Sequence, residues 1–187
     1  MSSAVLERPV RVARPLVDGE QVVNQLDLDP IKVKLMSQDG EGWSLEQVNL
    51  AEKWYRRFLI LNLKYPSIPI VPTKVIDAFW HCHILDTMKY AEDCDSIFGY
   101  FLHHFPYFGM RGVEDAGNLE DAFNHTKELF LSEFGESLAD LREVFSSADA
   151  ETSSECEGTE CGGTACGSSN CGKASPTDFS SRPALLH

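Results

Sequence analysis

The residue types that can hold a metal fall in two places along the chain. His81, His83 and Asp86 lie together in FWHCHILD, and Cys156, Cys161, Cys166 and Cys171 recur every five residues in CEGTECGGTACGSSNCG. Two imidazoles and a carboxylate suit zinc or iron, whereas four thiolates suit zinc or copper(I). The spacers of the repeat are Gly, Ser, Thr, Ala, Asn and Glu. Such residues bury no core, so the cysteines are there for their chemistry. One role is a shared thiolate site, although the C-x2-C knuckles of structural zinc sites are missing. Another is modification, because small residues let an enzyme thread the segment. Precursors of peptide natural products pair a recognised N-terminal region with a Cys- and Gly-rich core. A plain low-complexity tail is the third reading.

The elements that position the histidines are helical. Asp29 and Pro30 open a helix through IKVKLM, with Asp29 as the cap. Ser44 and Gln47 form a capping box for a long helix to Tyr65, stopped by Pro66. Thr73 caps a helix through KVIDAFWHCHIL. The pattern continues to Gly99, either straight or restarted at Asp86-Thr87. FLHHFPYFGMRG reads as a packed loop, and Leu119 to Phe134 as an amphipathic helix closed by Gly135. Ser137 caps a last helix, LADLREVF. No segment alternates like a strand. The fold class is therefore all-α, a single compact domain of five or six helices. Its expected bounds are a loose arm over 1–24, a helical domain over 25–147 and a disordered Cys/Gly-rich tail over 148–187.

On one straight helix at 100° per residue, His83 shares the core stripe with Ile76, Phe79, Trp80, Thr87, Tyr90, Cys94 and Ile97. His81 then points about 160° away, beside Asp77, Met88 and Glu92. Residues two apart do not share a helix face, so His81 and His83 cannot simply chelate one ion. A shared ion needs an unwound turn or donors from elsewhere, with His103 and His104 the available ones. The plainer expectation for His83 is a buried imidazole bonded to Tyr90, Asp86 or a carbonyl. An acid–base pair of His83 with Asp86 lacks a visible nucleophile or oxyanion hole. Cys82 and Cys94 read as buried thiols.

The formal net charge of −13 disfavours nucleic acid as a partner. Acidic residues exceed basic ones in the tail and in the domain alike. No apolar run matches a membrane span or a signal peptide, which points to the cytoplasm and to reduced cysteines.

FWHCHILDTMKYAEDC resembles the core motif of the glycine-rich domain-containing protein-like family. The matching positions are Trp80, His81, His83, Asp86, Tyr90, Asp93 and Cys94, and the likeness covers roughly Trp43 to Gly109. Plant members carry His-Pro where this chain has Asp86-Thr87, and they end in long glycine-rich regions. The resemblance implies a helical domain with a small-residue tail and brings no enzymatic activity with it.

The sequence thus points to a binding or scaffold protein rather than an enzyme. Its tail binds a soft metal or is modified, and its partner is an unidentified protein or modifying enzyme. The alternatives are a natural-product precursor with a folded leader, and a metal-dependent enzyme using the WHCH segment. The cofactor candidates are zinc, copper and iron. The metal-ligand candidates are Cys156, Cys161, Cys166, Cys171, His81, His83 and Asp86.

Overall fold

A computed structural model describes residues 16–139, Leu141, Phe145 and the pair 172–173. The domain is all-α. Helices α1 (Leu16–Gln25), α2 (Asp29–Met36), α3 (Leu45–Lys64), α4 (Lys74–Leu85), α5 (Thr87–Phe98) and α6 (Val113–Phe134) follow one another. Two residues of strand β1 (His104–Phe105) pair antiparallel with β2 (Gly172–Lys173).

Helix α3 is the central element, packed against α1, α2, α4 and α6. It begins with the complete capping box: the Gln47 N–H donates to Ser44 Oγ, and the Ser44 N–H donates to the Gln47 side chain. Trp54, Tyr55, Phe58 and Leu61 on its inner side are buried. They meet Phe79 and Trp80 of α4, with Tyr55–Phe79 and Phe58–Trp80 ring centroids each 4.9 Å apart. Such aromatic pairs stabilise beyond the area they bury.

Helix α1 lies inside the stretch expected to be a loose arm. Val23 is fully buried. Arg56 of α3 donates to the carbonyls of Val23 and Leu26, satisfying acceptors that the end of α1 leaves open. Gly19 sits where α1 meets α3 and α5. A Cβ there would lie 2.5 Å from Leu63 Cδ2 and 3.3 Å from the Ile97 carbonyl oxygen.

Two other helix ends, and the facing of Thr87, differ from the sequence reading. Asp29 is the first residue of α2 rather than its cap, and its N–H donates to the Asp27 carboxylate at 3.1 Å. The α4–α5 segment restarts at Asp86-Thr87, one of the two expected alternatives; Tyr90, Cys94 and Ile97 stay buried, but Thr87 is exposed instead of core-facing. Helix α6 starts at Val113, ahead of Leu119, because Gly112 at φ 125° turns the chain into it. The last expected helix is described only in part: Ser137 Oγ accepts from the Ala139 N–H, and Leu138 and Leu141 are buried. Among the described residues no helix is long and apolar enough to cross a membrane.

Glu136, beyond the end of α6, accepts from Arg57 at 2.7 Å and from Lys53 at 2.8 Å, both on α3. Those two cations, Arg57 first, hold its carboxyl down at about 2. The folded value lies below the ordinary one, so this contribution is full above about pH 4.5 and disappears as pH falls toward 2. Urea unfolding across that window should show a shallower acid loss in Glu136→Gln than in the parent. Trp80 is fully buried. Trp80→Ala should cost about 3–5 kcal/mol in the same assay, and a cost under about 1 kcal/mol would contradict the packing.

Candidate metal centre

Helix α4 presents two working faces. Ile76, Phe79, Trp80 and His83 point into the core. Lys74, Asp77, Ala78, His81, Cys82 and Leu85 line a groove against α2. Asp77 and His81 are one turn apart, at i and i+4, so their side chains stand together. Thr73 starts the helix by accepting from the Ile76 N–H.

The third member comes from the loop after α5. Gly99 ends α5 at φ 71°, a left-handed conformation that suits glycine. The chain then returns across α4 and is held by one relay. Trp80 Nε1 donates to the Tyr90 hydroxyl at 2.8 Å, and that hydroxyl donates to the Leu102 carbonyl at 2.6 Å. Two residues on, His104 lays its ring edge-on to Trp80 at 4.8 Å and to His81 at 4.6 Å. Asp115 fastens the rest of the loop by accepting from the N–H groups of Gly109 and Arg111.

Asp77, His81 and His104 converge on one point. The separations are 2.9 Å between the two Nε2 atoms, 3.3 Å from His104 Nε2 to Asp77 Oδ1 and 3.6 Å from His81 Nε2 to Asp77 Oδ1. A circle through the three atoms has a radius of about 1.9 Å. An ion at ~2.0–2.1 Å from each would sit about 0.7 Å off their plane, as at one face of a zinc tetrahedron. The side chains of Asp77 and His104 are 9% and 12% exposed, against 44% for His81. The donor set is therefore sheltered on one side and open along His81. That opening leads into the groove, about 960 Å³ in volume.

Of the ligand candidates within the described residues, His81 alone enters this cluster. His83 lies in the core, with Nδ1 2.9 Å from the Tyr55 hydroxyl and Nε2 3.0 Å from Asp93 Oδ2. Its partners are thus Tyr55 and Asp93 rather than Tyr90 or Asp86. Burial tends to raise the Asp93 carboxyl, but hydrogen bonds from His83 and Lys89 hold it below the usual range. Asp86 is exposed and occupies the junction between α4 and α5, outside the cluster. Cys156, Cys161, Cys166 and Cys171 lie outside the described residues. Cys94 is buried and Cys82 half-buried, and burial pushes both thiols up.

Asp77 and His104 were missing from the candidate ligand set. The signal for Asp77 was its four-residue offset from His81 on the wetter helix face. His104 stood among the available donors, but nothing in the sequence separated it from His103, which is exposed.

A protein-family model described as UCP032817-like matches residues 18–132, from α1 to near the end of α6. That description is not the glycine-rich label suggested by the W-H-x-H motif, and it names no activity. No curated protein and no solved structure matches the chain.

The two motif histidines should separate in stability measurements. His83→Ala strands the Tyr55 hydroxyl and leaves Asp93 with Lys89 alone, so it should destabilise by about 1–3 kcal/mol in metal-free buffer. His81→Ala, on the half-exposed face, should cost less under the same conditions. Equal losses would show that His81 is also a structural residue.

Proposed function

The chain belongs to the UCP032817-like family, whose model covers more than half of it, and on that footing we propose that the helical domain binds a divalent metal through Asp77, His81 and His104. The observation that carries this is the convergence of three donor atoms from α4 and from a loop more than twenty residues away. Two imidazole nitrogens and one carboxylate oxygen favour zinc, with ferrous iron the next candidate. Three protein donors leave a coordination position for a ligand on the groove side. In this reading the protein is a metal-dependent binding module, and His83 and Asp86 serve the fold around the site. The W-H-x-H likeness to the glycine-rich domain-containing protein-like family belongs to the same proposal, since its second position, His81, is the proposed ligand. The cysteine repeat is a separate proposal, a soft-metal or modification segment.

Cobalt(II) titration of the full chain tests the domain site and separates it from the tail. A variant with serine at all four tail cysteines should retain one equivalent, with the spectrum of nitrogen and oxygen ligation and no thiolate charge-transfer band. His104→Ala or Asp77→Asn should weaken that binding by more than the ~10–100-fold typical of losing an outer-shell partner. Binding that disappears with the tail cysteines and survives His104→Ala would sink the domain site.

A further inference from the structure

The groove beside the proposed ion carries a charge pattern that sets it apart among the described residues. Among residues 16–139 every other lysine and arginine has a carboxylate or aromatic partner. Lys34 and Lys74 have neither, and both line this groove from opposite walls, α2 and α4. In a chain of net charge −13, unpartnered carboxylates are background and unpartnered cations are not. Lys34 is exposed on the groove wall, and its charge draws the Cys82 thiol down against the burial that pushes it up.

Between the lysines the lining is mixed, with an apolar strip running beside Asp77, His81 and Cys82. Ile31 and Leu35 of α2 face Ala78 and Leu85 of α4, and Leu85 is 80% exposed. Lys74 to Leu85 is three turns of one helix face, about 16 Å. His81 lies on the Leu85 side of its middle.

We propose that this groove binds a small amphiphilic anion, a carboxylate or phosphate head on a short apolar body. The head pairs with Lys34 and Lys74. The body lies along Ile31, Leu35, Ala78 and Leu85 and crosses the open side of His81. Asp39, Glu41 and Asp86 on the rim repel polyanions, which restricts the ligand to one charged group on an apolar chain. The inference deepens the metal reading and rests on it for the placement across His81, whereas the lysine pairing stands independently of the ion.

Calorimetric titration of the full chain with octanoate, octyl phosphate and octanol, with and without cobalt(II), tests it. At least one of the two anions should bind and octanol should not, and the preferred anion identifies the head group. Lys34→Gln with Lys74→Gln should weaken that binding roughly tenfold, as loss of two surface ion pairs would. The same double variant should leave the cobalt spectrum intact, and anion binding to the parent should shift that spectrum. Equal binding of octanol, or anion binding unchanged in the double variant, would overturn the proposal. A cobalt spectrum that ignores a bound anion would overturn its placement across His81. Lysine-dependent anion binding by a protein that takes up no cobalt would remove the metal reading and keep the anion groove.

Discussion

The relay from the Trp80 indole through the Tyr90 hydroxyl to the Leu102 carbonyl is the constraint on which the site depends. All three groups are buried. A buried donor or acceptor without a partner costs about 1–3 kcal/mol, so each member of the relay enforces the positions of the others. Burial also pushes the Tyr90 hydroxyl far above its ordinary range, which keeps its proton available for donation to Leu102. Helices α4 and α5 and the returning loop are thereby tied at one point. His104, two residues beyond Leu102, has little freedom left in where it goes.

The same segment uses its second histidine for a different purpose. His83 bridges α3 through Tyr55 and α5 through Asp93, with both ring nitrogens engaged. One side chain thus satisfies a buried hydroxyl that the packing would otherwise strand and shares the Asp93 carboxylate with Lys89. W-H-x-H is then two residues facing inward, Trp80 and His83, with His81 between them facing the groove. The spacing that forbids His81 and His83 from sharing an ion is the spacing that lets each do its own work.

Much of this was legible because it is local. The capping box at Ser44, the Thr73 cap, the core side of Trp80 and His83, and the separate direction of His81 all follow from short-range periodicity. What was not legible depends on distant contact. Val23 is buried because α3 and α5 are there to receive it, so α1 gave no strong signal of its own. Wheel geometry past Asp86 assigned Thr87 to the core because a periodic pattern does not report a helix break that keeps most of the apolar side in phase. Tyr55 could not be named as a partner of His83, since their contact spans 28 residues. Asp77 was placed beside His81, but a carboxylate and an imidazole at i and i+4 usually mean only a solvated pair. His104 supplies the difference, and its position comes from the relay and not from its own sequence neighbourhood.

The buried carboxylate decides what kind of ligand such a cluster prefers. Asp77 is almost sealed, and its charged neighbours are ring nitrogens rather than a lysine or arginine. A carboxylate removed from water needs positive charge or hydrogen-bond donors close by. Two neutral imidazoles provide at most one N–H each, and here both turn Nε2 toward the same small space, 2.9 Å apart. The proposed divalent cation would supply that positive charge, using the carboxylate and both ring nitrogens. In that reading Lys34 and Lys74 add positive charge to a groove that Asp39, Glu41, Asp77 and Asp86 also line.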